Sequence, residues 1–293
     1  MTLSEFNALT ERGLVLLDGA TGSNMRLAGM PAGVCTEQWI LEHPEPILAL
    51  QRAYVDAGSD IIYAPTFSAN RISLRAHKLE DQIETLNRGL VALSRTAADG
   101  RALVAGDITT TGQPLEPMGT LSYQTLYETY QEQIALLAEA GVDLLVAETM
   151  LSIDETACAV EAAAAVCELP IMCTLTIEAD GHLLFGGDIV EAVETLQAVG
   201  AAAVGLNCSV GPDQLEAVVG AMAAVAETPL IVKPNAGVPA IDEKGVAHYS
   251  MDAAYYAQCM RRLTERGARV IGGCCGTTPE YIRLLAQMKN EMT

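Results

Sequence analysis

The 293 residues carry 17 Lys and Arg against 37 Asp and Glu, a formal net charge of −20, and half of them are hydrophobic. That much apolar side chain excludes a disordered chain, and the acidity sets long-range repulsion against nucleic acid and anionic membrane surfaces. No apolar run reaches the roughly 18 residues needed to span a bilayer, and the Met1–Phe6 start lacks a basic stretch followed by an apolar one, so the expected location is the cytoplasm.

From the N-terminus onward the chain repeats one unit: a short apolar run, a polar strand end, an amphipathic helix. The first run, Leu14–Leu17, ends in Asp18-Gly19-Ala20-Thr21-Gly22-Ser23. The second, Ile61–Ala64, follows a stop signal at Gly58 and ends in Pro65-Thr66-Phe67; the third is Ala102–Ala105. A helix face of Leu126, Tyr130, Ile134 and Leu137 leads through Gly141 to the fourth run, Leu144–Ala147, which ends in Glu148-Thr149. Ser152 with Glu155 has the spacing of a capping box, and the fifth run is Ile171–Leu175. Asp188 with Glu191 opens the next helix and Gly200 closes it before the sixth run, Ala202–Leu206, which ends in Asn207-Cys208. The seventh, Leu230–Val232, ends in Lys233-Pro234-Asn235-Ala236-Gly237. Gly267 precedes the eighth, Arg269–Ile271, which ends in Gly272-Gly273-Cys274-Cys275-Gly276, and Thr277 with Glu280 starts the final helix.

Short runs without alternation are strands buried on both faces, and strands alternating with helices pair in parallel. Eight such units predict α/β architecture: a single (β/α)8 TIM barrel spanning residues 1–293 as one domain. A doubly wound open sheet is the alternative, but Gly19-Ala20-Thr21-Gly22 lacks the full glycine fingerprint of such folds. In a barrel the chemistry sits at the C-terminal ends of the strands.

Eight cysteines in such a chain are thiols or metal ligands rather than a disulfide framework. Cys158, Cys167, Cys173 and Cys259 fall within apolar periodic segments and read as small buried hydrophobes. Cys208, Cys274 and Cys275 stand at the ends of strands six and eight, where they can face one centre. Three converging thiolates suit zinc and leave one tetrahedral position open, the pattern of a catalytic site. Packing cysteines or a phosphate loop are the competing readings. None of the four histidines falls at a strand end. Glu148 closes a fully apolar strand, where a carboxylate needs a cation: either a ligand ammonium or an internal Lys or Arg. Asp18 holds the same position on strand one, and the turn after it can offer successive amides to an anion. Two carboxylates beside such a turn suit an amino acid, and a thiolate-held zinc nearby suggests that its side chain is a thiol.

These motifs resemble the zinc-dependent homocysteine S-methyltransferases, a family that includes the homocysteine module of cobalamin-dependent methionine synthase. The segments that carry the resemblance are Leu17–Gly22, Glu148-Thr149, Gly205–Cys208, Pro234–Gly237 and Gly272–Pro279, in order along almost the whole chain. The resemblance implies zinc on Cys208, Cys274 and Cys275 as the catalytic centre. It implies the homocysteine ammonium on Asp18 and Glu148, its carboxylate on the amides around Gly19, Ala20 and Thr21, Asn235 as a weak fourth ligand, and Thr66 on the substrate side. Leu115–Gly119 and the Gly-Thr-Thr-Pro ending are closest to methionine synthase, while a folate barrel and a corrinoid motif are missing from these 293 residues. The expected donor is therefore methylcobalamin, free or on a separate corrinoid protein, with S-methylmethionine or betaine as the small-molecule alternative. A zinc hydrolase and a non-catalytic corrinoid-docking or zinc-binding protein are the readings from other classes.

Overall fold

The computed structural model describes residues 1–242 and 247–292. Eight parallel strands form one sheet: β1 (Val15–Leu16), β2 (Ile61–Tyr63), β3 (Leu103–Ile108), β4 (Leu144–Met150), β5 (Ile171–Leu175), β6 (Ala203–Cys208), β7 (Leu230–Pro234) and β8 (Ala268–Ile271). Their order is β1-β8-β7-β6-β5-β4-β3-β2, every pair parallel. The seam between β1 and β2 is drawn together without a regular ladder. Asp60 N–H donates to the Leu16 carbonyl at 2.7 Å, and the Asp60 carboxylate accepts from Leu16 N–H at 2.7 Å. The result is a nearly closed TIM-like barrel with helices outside, as the sequence predicts.

All eight predicted runs are strands, with ends shifted by a few residues. The largest shifts are in β3, which runs on through Gly106 and Asp107 to Ile108, and in β4, which runs on through Glu148 and Thr149 to Met150. The helix stop signals hold: Gly58, Gly141, Gly200 and Gly267 all have positive φ, where glycine meets no Cβ penalty. Ser152 and Asp188 cap their helices through Glu155 N–H and through Val190 and Glu191 N–H. Thr277 does not cap: the last helix is Pro279–Met292, and Thr277 has another use at the site.

Strand alternation sorts the side chains into two cores. Leu16, Ile62, Val104, Leu145, Val204 and Val232 face the helices. Val15, Leu17, Ile61, Tyr63, Ala105, Leu144, Val146, Met172, Ala203, Ile231 and Val270 fill the barrel, and Phe6 of the helix Leu3–Glu11 packs with them. Further inward positions along β3 to β7, toward their C-terminal ends, are Asp107, Glu148, Thr174, Asn207 and Lys233. The register that packs the barrel therefore lines its upper layer with polar groups.

Candidate active site

Above that layer lies a cavity of about 370 Å³, lined by Asp18–Gly22, Tyr63, Phe67, Asp107, Glu148, Thr149, Lys233 and the three cysteines among others. Its size is in the range of small-molecule sites.

The Sγ atoms of Cys208, Cys274 and Cys275 all lie within 4.8 Å of one another, the one such group of potential metal ligands among the described residues. Cys274 Sγ is 3.3 Å from Cys208 Sγ, and Cys208 Sγ is 3.6 Å from Cys275 Sγ. A disulfide would need about 2.05 Å. Ligands on a tetrahedron with metal–sulfur bonds near 2.3 Å stand about 3.8 Å apart, so these separations fit a shared cation. Without one, three thiolates so close cannot all be charged. The S–H groups of Cys208 and Cys274, with the Tyr249 hydroxyl, pull Cys275 down to about 3, while the same contacts push Cys208 up.

Local backbone makes this convergence. Cys208 and Ser209 both have left-handed φ, +59° and +51°, at the end of β6. Such conformations cost energy in residues with a Cβ and cluster at functional sites. Gly276 follows the cysteine pair at φ +82°, and a Cβ there would meet Tyr249 Cγ at 2.2 Å. Thr277 ties the cysteine turn to the first strand end: its hydroxyl donates to the Cys274 carbonyl at 2.7 Å and accepts from Ala20 N–H at 3.1 Å. The Ala20 amide is thus already committed within the chain, a correction to its expected role toward an anion.

Lys233 organises the floor. Its Nζ is 3.0 Å from Glu148 Oε1, 3.6 Å from Asp18 Oδ1, and 4.7 Å from the centre of the Tyr63 ring. Of the two partners the sequence left open for Glu148, the internal lysine is present. Asp18 also accepts from Tyr63 N–H at 2.8 Å. Burial dominates its acidity and, despite Lys233, pushes Asp18 up to about 6. Burial likewise raises Glu148 and raises Asp107 well above the usual carboxylate range.

Glu148 stands at a register shift between β4 and β5, and Thr149 beside it has φ +57°. A bulge of this kind re-aims a side chain. Asn207 holds it, accepting from Thr149 N–H at 2.8 Å and donating to the Thr149 hydroxyl at 2.7 Å. Asn235 is buried and is not among the lining residues; its backbone N–H donates to the Cys208 carbonyl at 3.2 Å, its side-chain amide donates to the Ser209 carbonyl at 3.1 Å, and its Oδ1 has no hydrogen-bond partner.

The structure thus brings together Asp18, Gly19, Ala20, Thr21, Glu148 and the three cysteines around one cavity. Thr66 is not among the lining residues. It is fully buried, and its hydroxyl donates to the Asp107 carbonyl at 2.8 Å, so it braces β3 from behind. Sequence reasoning gave no role to Lys233, Asp107, Asn207 or Tyr249. Lys233 was visible as a cation at a strand end, and Asp107 as an acid flanked by Gly106 and Ile108.

A family model described as homocysteine S-methyltransferase matches residues 15–289. Methionine synthase of Mycobacterium leprae (strain TN) is 29% identical over 287 residues, covering 92% of this chain and 24% of that protein. The Mycobacterium tuberculosis (strain ATCC 25618 / H37Rv) methionine synthase is 28% identical over the same shares. This chain therefore spans about a quarter of the length of these curated relatives. The metallated form of the homocysteine methyltransferase MmuM from Escherichia coli superposes with a TM-score of 0.80 at 24% identity, covering 96% of this chain and 98% of that one, which supports the fold.

Proposed function

The chain belongs to the homocysteine S-methyltransferase family, and from that premise we propose that it forms methionine by transferring a methyl group to homocysteine at the cavity described above. The observation that carries this reading is the placement of three converging sulfurs beside a carboxylate-rich floor and an amide-rich turn. Cys208, Cys274 and Cys275 would hold zinc, and Asn235, whose buried Oδ1 has no hydrogen-bond partner, would be a further, weak ligand. Zinc bound there supplies the Lewis acidity that keeps a substrate thiol deprotonated at neutral pH.

The chain's own residues position the rest. Glu148 and Asp18 receive the ammonium, steadied by Lys233, and the Gly19 and Thr21 amides face the carboxylate. The substrate sulfur then attacks the donor methyl in line. Its bond to carbon forms as the donor's bond breaks, and the thiol proton has already left to solvent.

For the donor we propose a methylated corrinoid, free or on a separate protein. The loop 109–119 does not line this cavity among the described residues; Glu155 holds it by accepting from the Thr110 hydroxyl at 2.6 Å and Thr111 N–H at 2.8 Å. In the loops beyond the strand ends, Met118, Leu184, Val238 and Ile241 are more than half exposed, apolar side chains available to a bulky partner. A quaternary ammonium or sulfonium donor would need an aromatic or carboxylate surround, and Lys233 already covers the Tyr63 ring and pairs with Glu148 and Asp18. A donor screen with homocysteine tests this: methionine formation with methylcobalamin is expected. Turnover with S-methylmethionine or betaine alone would move the chain to the small-molecule branch.

A further inference from the structure

Four carboxylates line the cavity, those of Asp18, Glu37, Asp107 and Glu148, and among the described lining residues Lys233 is the one cation. Three of the four are accounted for within the chain. Glu37 accepts from Ser68 N–H at 2.8 Å and from the Cys35 thiol at 3.3 Å. Asp18 has Tyr63 N–H and Lys233, and Glu148 has Lys233.

Asp107 differs. Its backbone is tied to Thr66, but its side-chain Oδ1 is buried with no hydrogen-bond partner, and the residue is only 4% exposed. A carboxylate in that state is costly unless a cation meets it. The missing cation is not a metal on the carboxylates, because among the described residues the one cluster with metal-ligand spacing is the three cysteines. Burial favours the protonated form of this carboxylate, and an organic cation entering the cavity would supply the counter-charge that ionises it.

Resting on the homocysteine reading, we propose that Asp107 is a further substrate-binding residue, whose carboxylate, at the cavity wall, receives the substrate ammonium together with Glu148. Lys233 sits against Glu148 and Asp18, so Asp107 is the carboxylate beside them that no cation of the chain contacts. Asp107 thereby sets specificity for an α-amino thiol over the same thiol without its amine.

The test is calorimetric titration of the zinc-loaded protein with homocysteine and with 4-mercaptobutanoate, which lacks only the amino group. The Asp107→Asn variant should lose on the order of ten- to a hundredfold in homocysteine affinity. It should bind 4-mercaptobutanoate within about twofold of wild type and keep its zinc, so discrimination collapses. An unchanged ratio of the two affinities, whether both fall or neither does, overturns the proposal. Asp107→Ser gives the same readout should the Asn variant fold poorly. Wild-type protein that binds neither thiol would instead defeat the homocysteine reading itself, which separates the two failures.

Discussion

Among single residues, the sulfurs and the carboxylates make different demands. Cys275 is expected to be indispensable to metal: Cys275→Ala should lose most of the zinc measured by elemental analysis, and full retention would remove it from the ligand set. Glu148→Gln should keep the zinc and weaken homocysteine binding ten- to a hundredfold, roughly one charge-assisted hydrogen bond; equal affinity would reassign Glu148 to a purely internal pair with Lys233. Asp18 offers a pH test. Its pKa is raised on folding, from 3.8 to about 6, so its ionised form opposes folding above that window. Stability therefore rises as pH falls from about 6 toward 4 through this group. The stability of Asp18→Asn relative to wild type should accordingly grow between pH 4 and pH 8, by on the order of 3 kcal/mol. A pH-independent difference between the two proteins would contradict the burial account. The thiols were legible in the sequence because they close apolar runs, with glycines flanking the Cys274-Cys275 pair. The partner of Glu148 was not, because Lys233 comes from a distant strand and meets it only once the barrel closes.

At the level of elements, the turn after β8 does the most for the site. It must reverse within a few residues, present two adjacent thiols and still dock on the Gly19-Ala20 turn through Thr277. Gly276→Ala would force a Cβ into a left-handed conformation and against the Tyr249 ring. Left-handed backbone alone costs about 1–2 kcal/mol, and the clash adds to it. We expect a lower melting temperature together with weaker zinc retention; a variant matching wild type in both would mean that the turn is not rigid. The helix–glycine–strand repeat was readable because glycine at a helix C-terminus has a backbone cause. The end of β3 was not, since Gly106 interrupts the apolar run although the strand continues. That interruption concealed Asp107. Thr277 misled for the opposite reason: its spacing to Glu280 matches a cap, yet tertiary contacts claim its hydroxyl.

At the scale of the molecule, a barrel packed by alternation delivers one polar layer to one end, and the cysteines, the carboxylates and the lysine meet there without any one loop carrying them all. The fold was legible as eight repeated units; the charge balance of the floor was not, since it depends on which strand ends become neighbours. In the proposed function the three sulfurs hold the metal that captures the substrate thiol, so homocysteine binding depends on that metal. Calorimetric titration of homocysteine into zinc-loaded and chelator-treated protein tests it most directly. We predict one zinc per chain, binding in the loaded protein, loss of binding after chelation, and recovery when zinc is restored. Homocysteine binding that survives complete removal of the metal would contradict it.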